Sequence, residues 1–134
     1  MKHLLTPALL VALLGFLGLP ARGADTPKPY KNVNVEQYDK LRADPKAIVL
    51  DVRTKKEFDA GHLPGAVNLD WNGPDFAKEA AKLDPSKTYL VHCASGRRSV
   101  SACNLMTGKL GLTNCVNLEG GFNAWKQAGK PVSK

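Results

Sequence analysis

The hydrophobic pattern changes its period between Thr88 and Leu110, and this change constrains the fold more than any other feature of the sequence. Residues 88–91 form a continuous run typical of a buried strand. Farther on, apolar side chains recur at steps of three and four, as on one face of a helix: Val100, Cys103, Met106 and Leu110. The sequence therefore predicts a strand and a following helix, joined by the short loop 93–99.

The same alternation of strand and helix extends over most of the chain. Strand patterns occur at residues 33–35, 47–52, 66–69, 88–92 and 115–118. Helix patterns occur at residues 36–42, 55–60, 74–83 and 121–128, besides the helix that ends near Gly111. Such alternation favours an α/β domain on a mostly parallel sheet, in which ligands bind beyond the carboxyl ends of the strands. Loop 93–99 lies in that position.

Residues 1–23 have the pattern of a secretory signal peptide. A basic start precedes an apolar run from Ala8 to Leu19, and small residues stand at Ala21 and Gly23. A membrane-spanning helix needs about 20 apolar residues, so an uncleaved anchor is the weaker alternative. We therefore expect a periplasmic or secreted protein with no membrane attachment after cleavage. Residues 24–31 are predicted to be a flexible lead-in, and residues 32–134 a single domain that acts as a monomer.

The formal charge of +7 is spread along the chain rather than concentrated. The only adjacent basic pairs are Lys55-Lys56 and Arg97-Arg98. A nucleic-acid-binding protein would concentrate its lysines and arginines on one stripe, so no nucleic-acid partner is expected. We interpret the excess charge as solubility together with a local attraction for anions.

The three cysteines are Cys93, Cys103 and Cys115. No two of them have the C-x-x-C spacing of a thioredoxin-like redox pair or a structural zinc site, and no metal site is predicted. We expect Cys103 and Cys115 to be small, buried, unpaired side chains. A disulfide between them is the alternative, because an exported protein meets an oxidising environment.

Cys93 stands where the strand ends and the loop begins. The backbone N–H groups of such a loop and the positive end of the next helix converge on one point. These dipoles, with the guanidinium groups of Arg97 and Arg98, would favour the thiolate, and Gly96 would let the loop curl tightly. The segment is therefore predicted to hold a nucleophilic cysteine beside a small anion.

Three blocks of sequence resemble the signatures of the rhodaneses, a family of sulfurtransferases. The first comprises Asp51-Val52-Arg53, Glu57 and residues 61–68, and the second is the loop 93–99. The third comprises Gly120-Gly121-Phe122 and Trp125. In the family's order and spacing, the blocks cover nearly all of residues 32–134.

The resemblance implies a rhodanese-like α/β domain, with a mostly parallel five-stranded sheet flanked by helices on both faces. It also implies that Cys93 takes a sulfane sulfur from thiosulfate or a related small anion, as a persulfide, and passes it to cyanide or a thiol. No metal or organic cofactor is implied. The residues implied to bind the substrate are Ala94, Ser95, Gly96, Arg97, Arg98 and Ser99.

Other functions remain alternatives to this interpretation. Vertebrate thiosulfate enzymes carry basic residues directly after the cysteine, where this chain has Ala94-Ser95, so the donor stays open. Phosphatases with a related loop have five residues between cysteine and arginine, whereas four lie between Cys93 and Arg98, which disfavours phosphate chemistry. A sulfur-relay or non-catalytic module that docks on a partner protein, and a redox-sensing thiol, are the remaining candidates.

Charged neighbours of the loop are interpreted as structural. Successive strand residues point to opposite faces, so His92 is expected to face away from Cys93. Asp51, Arg53 and Glu57 lie at a strand end and on the next helix, where an ion pair that orders the connection is more common than an acid–base pair.

Overall fold

Five strands form one sheet in which every neighbouring pair is parallel, in the order β1-β5-β4-β2-β3. The structure is a computed structural model that describes residues 28–134. The elements are β1 (Lys31–Val33), α1 (Val35–Leu41), β2 (Ala47–Asp51), α2 (Lys55–Ala60), β3 (Val67–Asn68), α3 (Phe76–Ala80), β4 (Thr88–His92), α4 (Arg97–Gly108), β5 (Cys115–Leu118) and α5 (Gly121–Gln127).

Each central strand buries side chains on both faces of the sheet, as parallel strands covered by helices do. On β4, Tyr89 and Val91 belong to one apolar cluster, and Leu90 belongs to the other. Helices α3 and α4 contribute side chains to the first cluster, and α1 and α5 to the second. The predicted α/β fold, a parallel five-stranded sheet with helices on both faces, is confirmed.

The sequence misplaced the start of the domain. The strand predicted at residues 33–35 is β1, two residues earlier, because Asn34 caps helix α1 instead. The Asn34 side chain accepts a hydrogen bond from Gln37 N, and the Gln37 side chain accepts one from Asn34 N, at 2.9 and 3.0 Å. Tyr30 is buried and Lys31 pairs with Val116, so both belong to the fold rather than to the predicted lead-in.

Other differences from the predicted elements are small. Helix α3 is shorter than the predicted 74–83, and α4 ends at Gly108, before Gly111. The predicted signal peptide, residues 1–23, and residues 24–27 lie outside the described residues. Between residues 28 and 134, no helix has the length and apolar character needed to cross a membrane.

Candidate active site

Cys93 directly follows β4, and its sulfur lies inside the curve of the loop that leads to α4. Cys93 Sγ accepts a hydrogen bond from Gly96 N at 3.1 Å and lies 3.4 Å from Ser99 Oγ. Gly96 has a φ of +111°, which a side chain would strain. The loop therefore closes around the sulfur, and the Cys93 residue is only 1% exposed.

The surroundings of Cys93 favour its thiolate. Burial by itself raises the pKa of this thiol, but hydrogen bonds from the Ser99 hydroxyl and from the backbone of Ser99, Gly96 and Ser95 outweigh it, so that the pKa is lowered from its ordinary value. The first turn of α4 adds the positive end of its dipole. The surroundings of Cys93 therefore suit the nucleophilic role that the sequence predicts for it.

The other two cysteines have the opposite character. Cys103 and Cys115 are buried and unpaired, as predicted. Burial raises the pKa of Cys103 well above its ordinary range, and that of Cys115 to about 11. Of the cysteines, only Cys93 has hydrogen-bond donors arranged to stabilise an anion.

Helix α5 holds the loop from the side opposite to α4. Phe122 N donates to the Cys93 carbonyl oxygen at 2.7 Å, and Asn123 N donates to the Ala94 carbonyl oxygen at 3.0 Å. Gly121, with a φ of +57°, makes this approach possible. A Cβ atom there would lie 2.7 Å from the Ala94 carbonyl carbon and oxygen, and closer still to the Cys93 carbonyl oxygen. The backbone of α5 thus fixes the first two residues of the loop.

Arg98 is bound by a carboxylate of the protein itself. Its Nη1 and Nη2 donate to Glu57 Oε1 and Oε2 at 2.7 and 3.0 Å. Thr54 N and Oγ1 hold the same carboxylate as part of the capping box of α2. Arg97, in contrast, is exposed, and its side chain makes no ion pair within residues 28–134.

A buried polar network lies beneath the loop. Arg53 binds Asp51 through Nε and Nη2, with Nη2 2.7 Å from Oδ2, so the predicted ion pair is confirmed for these two residues. It is wrong for Glu57, which binds Arg98 instead. His92 lies 3.0 Å from the Tyr38 hydroxyl and 3.3 Å from Asp51. Since Tyr38 belongs to the apolar cluster opposite that of Cys93, His92 faces away from Cys93, as expected.

A cavity of about 340 Å³ opens beside the loop and is large enough for a small molecule. Its lining includes Glu57, Ala94, Phe122, Asn123 and Lys126. A second cavity of about 380 Å³ is lined by residues that include Tyr30, Thr88 and Cys115, at the amino ends of the strands and away from Cys93. Within residues 28–134, no group of His, Cys, Asp or Glu side chains is arranged to hold a metal ion.

The six residues that the resemblance implies as substrate-binding have different surroundings in the structure. Gly96 N donates a hydrogen bond to the sulfur, the Ser99 hydroxyl lies beside it, and the backbone of Ser95 helps to lower the pKa of Cys93. The Ala94 carbonyl anchors the loop to α5. Arg98 is engaged by Glu57, and Arg97 points outward. Sequence reasoning missed the partner of Arg98 and the contact of Gly121 with the loop. The pair of glycines at residues 120–121 was the available signal for the second.

Known proteins of similar sequence and structure carry the same domain. The rhodanese-like domain family matches residues 34–128. The chain is 36% identical over 98 residues to thiosulfate sulfurtransferase GlpE of Pseudomonas entomophila, which covers 72% of this chain and 85% of that protein. It is 34% identical over 93 residues to the putative sulfurtransferase YtwF of Bacillus subtilis, which covers 69% of this chain and 86% of that protein.

Solved structures agree with these relatives. A rhodanese-related protein from Thermoplasma volcanium superposes with a TM-score of 0.65 at 31% identity, over 78% of this chain and 98% of that one. The rhodanese-like domain of an Anabaena sp. protein superposes with a TM-score of 0.67 at 26% identity, over 80% of each chain. Since the family match spans most of the sequence and the relatives are covered over most of their length, the chain belongs to the rhodanese-like domain family.

Proposed function

We propose that this protein is a sulfurtransferase that moves a sulfane sulfur through a persulfide on Cys93. The donor is a small sulfur-containing anion, thiosulfate or a related compound, and the acceptor is cyanide or a thiol. The observation that carries the proposal is the position of Cys93 Sγ among the Gly96 N–H, the Ser99 hydroxyl and the start of α4. The names of the relatives support the general class of reaction.

The proposed reaction has two displacement steps. In the first, the Cys93 thiolate attacks the outer sulfur of the donor, a new S–S bond forms, and the donor's own bond to that sulfur breaks with its electron pair leaving on the departing anion. In the second, the acceptor attacks the outer sulfur of the persulfide, and the Cys93 thiolate leaves. The Cys93 sulfur is an anion before the first step and again after the second, so the donors from Gly96 and Ser99 stabilise the attacking thiolate and the same thiolate as it leaves.

We also propose that the protein acts as a monomer after export. The signal-peptide pattern of residues 1–23 supports export. In residues 28–134, the exposed large hydrophobic side chains, Leu41, Val67 and Val132, lie in separate segments of the chain, which supports a monomer. Sequencing the amino terminus of the protein recovered from the periplasm or medium tests export, and an intact terminus at Met1 would contradict it.

Intact mass spectrometry tests the persulfide directly. The mature protein is incubated with thiosulfate or inorganic polysulfide, then with cyanide. We expect a gain of one sulfur atom on Cys93 and its loss to cyanide with release of thiocyanate. Cys93→Ser should gain none, whereas Cys115→Ala, which removes a thiol of raised pKa, should still gain it. No gain from either donor, or full transfer by Cys93→Ser, would refute the proposal, and a module that docks on a partner would then be the better interpretation.

A further inference from the structure

Glu57 forms an ion pair with Arg98, the guanidinium group at the start of α4. The pair is bidentate at 2.7 and 3.0 Å, and the two side chains are 35% and 23% exposed, so it lies at the mouth of the site. The hydrogen bonds to Glu57 raise the pKa of Arg98, and the negative charges of Cys93 and Asp70 raise it further. The positive charge of Arg98 is therefore already matched by acids of the protein.

None of the other cations near the loop hydrogen-bonds to the Cys93 sulfur, whose contacts are with Gly96 N and Ser99 Oγ. Arg53 is buried and bound to Asp51. Arg97 is exposed and makes no ion pair within residues 28–134, and Lys126 lines the cavity, 5.0 Å from the Phe122 ring. The sulfur is consequently held by backbone and hydroxyl dipoles. Such dipoles suit a single negative charge and compensate a second one poorly.

We infer that Glu57, acting through Arg98, tunes donor specificity, and that it weakens the use of the thiosulfate dianion relative to that of singly charged sulfane-sulfur donors. This inference rests on the proposed function and adds a substrate class to it. Glu57 touches no reacting atom in this scheme. It is a positioning residue whose carboxylate occupies the guanidinium fork that a dianionic donor would otherwise bind.

Two donors of similar shape and different charge provide the test. Thiosulfate carries two negative charges, and methanethiosulfonate carries one because a methyl group replaces one oxygen. In both, the Cys93 thiolate forms an S–S bond with the terminal sulfur. The bond from that sulfur to the sulfonyl sulfur breaks, and the electron pair leaves on sulfite or on methanesulfinate. The charges balance in each case, and the transferred atom is the same.

The experiment compares kcat/KM for the two donors, with cyanide as acceptor, in the wild type, Glu57→Gln and Glu79→Gln. Glutamine keeps an acceptor oxygen for Thr54 and so preserves the capping box. Glu79 is a matched control, an exposed acid on α3 that pairs with Lys82.

We expect Glu57→Gln to raise the ratio of kcat/KM for thiosulfate to kcat/KM for methanethiosulfonate about five- to tenfold, mainly through a lower KM for thiosulfate. Glu79→Gln should leave the ratio unchanged. A ratio that stays within about twofold in Glu57→Gln, or equal losses with both donors, would overturn the inference.

Alkylation of Cys93 gives an independent readout that needs no sulfur transfer. Iodoacetate is anionic and iodoacetamide is neutral, and both attack the same thiolate. Glu57→Gln should raise the rate of iodoacetate relative to iodoacetamide, mapped to Cys93 by mass. If neither donor sulfurates the wild type but this rate ratio rises, the proposed function is refuted, whereas the effect of the Glu57 charge on the choice between anionic and neutral reagents is confirmed. If the rate ratio does not change, the inferred effect of Glu57 on donor charge is refuted.

Discussion

Ser99 Oγ lies 3.4 Å from Cys93 Sγ, and the Ser99 hydroxyl group donates a hydrogen bond to the Gly96 carbonyl oxygen at 3.2 Å. One hydroxyl therefore serves both the sulfur and the backbone of the loop that encloses it. When Cys93 ionises, the hydroxyl proton can turn towards the thiolate. Burial raises the pKa of Cys93. Of the groups that lower this pKa, the Ser99 hydroxyl has the largest effect.

Replacing Ser99 by alanine should raise the pKa of Cys93 and slow its reactions near neutral pH. A hydrogen bond to a charged group is worth about 1.5 kcal/mol or more, so iodoacetamide should alkylate the variant on the order of tenfold more slowly at about pH 7. The difference should shrink as the pH rises and both thiols ionise. The pH profile of the alkylation rate measures this effect.

Two variants serve as controls. Ser99→Thr, which keeps a hydroxyl, should recover most of the alkylation rate, and Ser101→Ala should match the wild type. Parallel profiles for Ser99→Ala and the wild type would contradict this role of the hydroxyl.

Gly121→Ala should destabilise the domain and slow sulfuration together. Its Cβ atom would collide with the Cys93 and Ala94 carbonyl groups, and relieving the collision separates α5 from the loop. We expect a loss of about 2–4 kcal/mol in the free energy of unfolding in urea.

Gly129 is a matched control because it also has a positive φ, +71°, but has no atom within 4 Å of the Cβ position. Gly129→Ala should cost only about 1 kcal/mol and leave sulfuration intact. Equal losses in the two variants would show that backbone strain, and not the contact with the loop, is the cause.

Much of the fold could be predicted because its central strands are buried on both faces. Such strands are continuous apolar runs, and Thr88–His92 and Cys115–Leu118 were located to the residue. Strand β1 was misplaced because Val33 and Val35 flank Asn34 in a strand-like alternation. The spacing of Asn34 and Gln37 is that of a capping box, and it was the available signal for the start of α1 at Val35.

The position of the candidate nucleophile could be predicted from the sequence, and the ion pair beside it could not. A cysteine between a buried strand and an amphipathic helix is a local pattern that the sequence displays directly. The pair of Glu57 and Arg98 joins residues 41 positions apart, and no periodicity connects them. Its existence follows from the order of β2 beside β4 in the sheet, which places the start of α2 near the start of α4.

Asp51→Asn should remove a contribution to stability that depends on pH. Burial raises the pKa of the Asp51 carboxyl, but the His92 and Arg53 side chains outweigh it and hold the pKa well below its ordinary range. The folded pKa is thus below the unfolded value of about 3.9, so the contribution is complete above that pH and is lost as the pH falls towards the folded pKa.

At about pH 7 the variant should lose on the order of 3 kcal/mol, because Arg53 is left buried without its partner. The gap from the wild type should narrow below about pH 4. Urea unfolding at several pH values measures it. Asp59→Asn is the control, since the Asp59–Lys55 pair is largely exposed and should change stability little. A gap that stays constant down to low pH would show that the loss is not electrostatic.

Arg98→Ala should impair thiosulfate use chiefly by exposing the Glu57 carboxylate. Without the guanidinium, an unpaired negative charge faces the approaching dianion, and kcat/KM for thiosulfate should fall on the order of tenfold or more. Methanethiosulfonate, with one charge, should be affected less. In the double variant Arg98→Ala with Glu57→Gln, most of the lost thiosulfate activity should return, because both members of the ion pair are then neutral. Steady-state kinetics with the two donors on both variants provide the measurement. If the double variant is as slow as Arg98→Ala alone, then Arg98 itself holds the donor, as the sequence resemblance implies, and the neutralising effect of Glu57 is of little consequence.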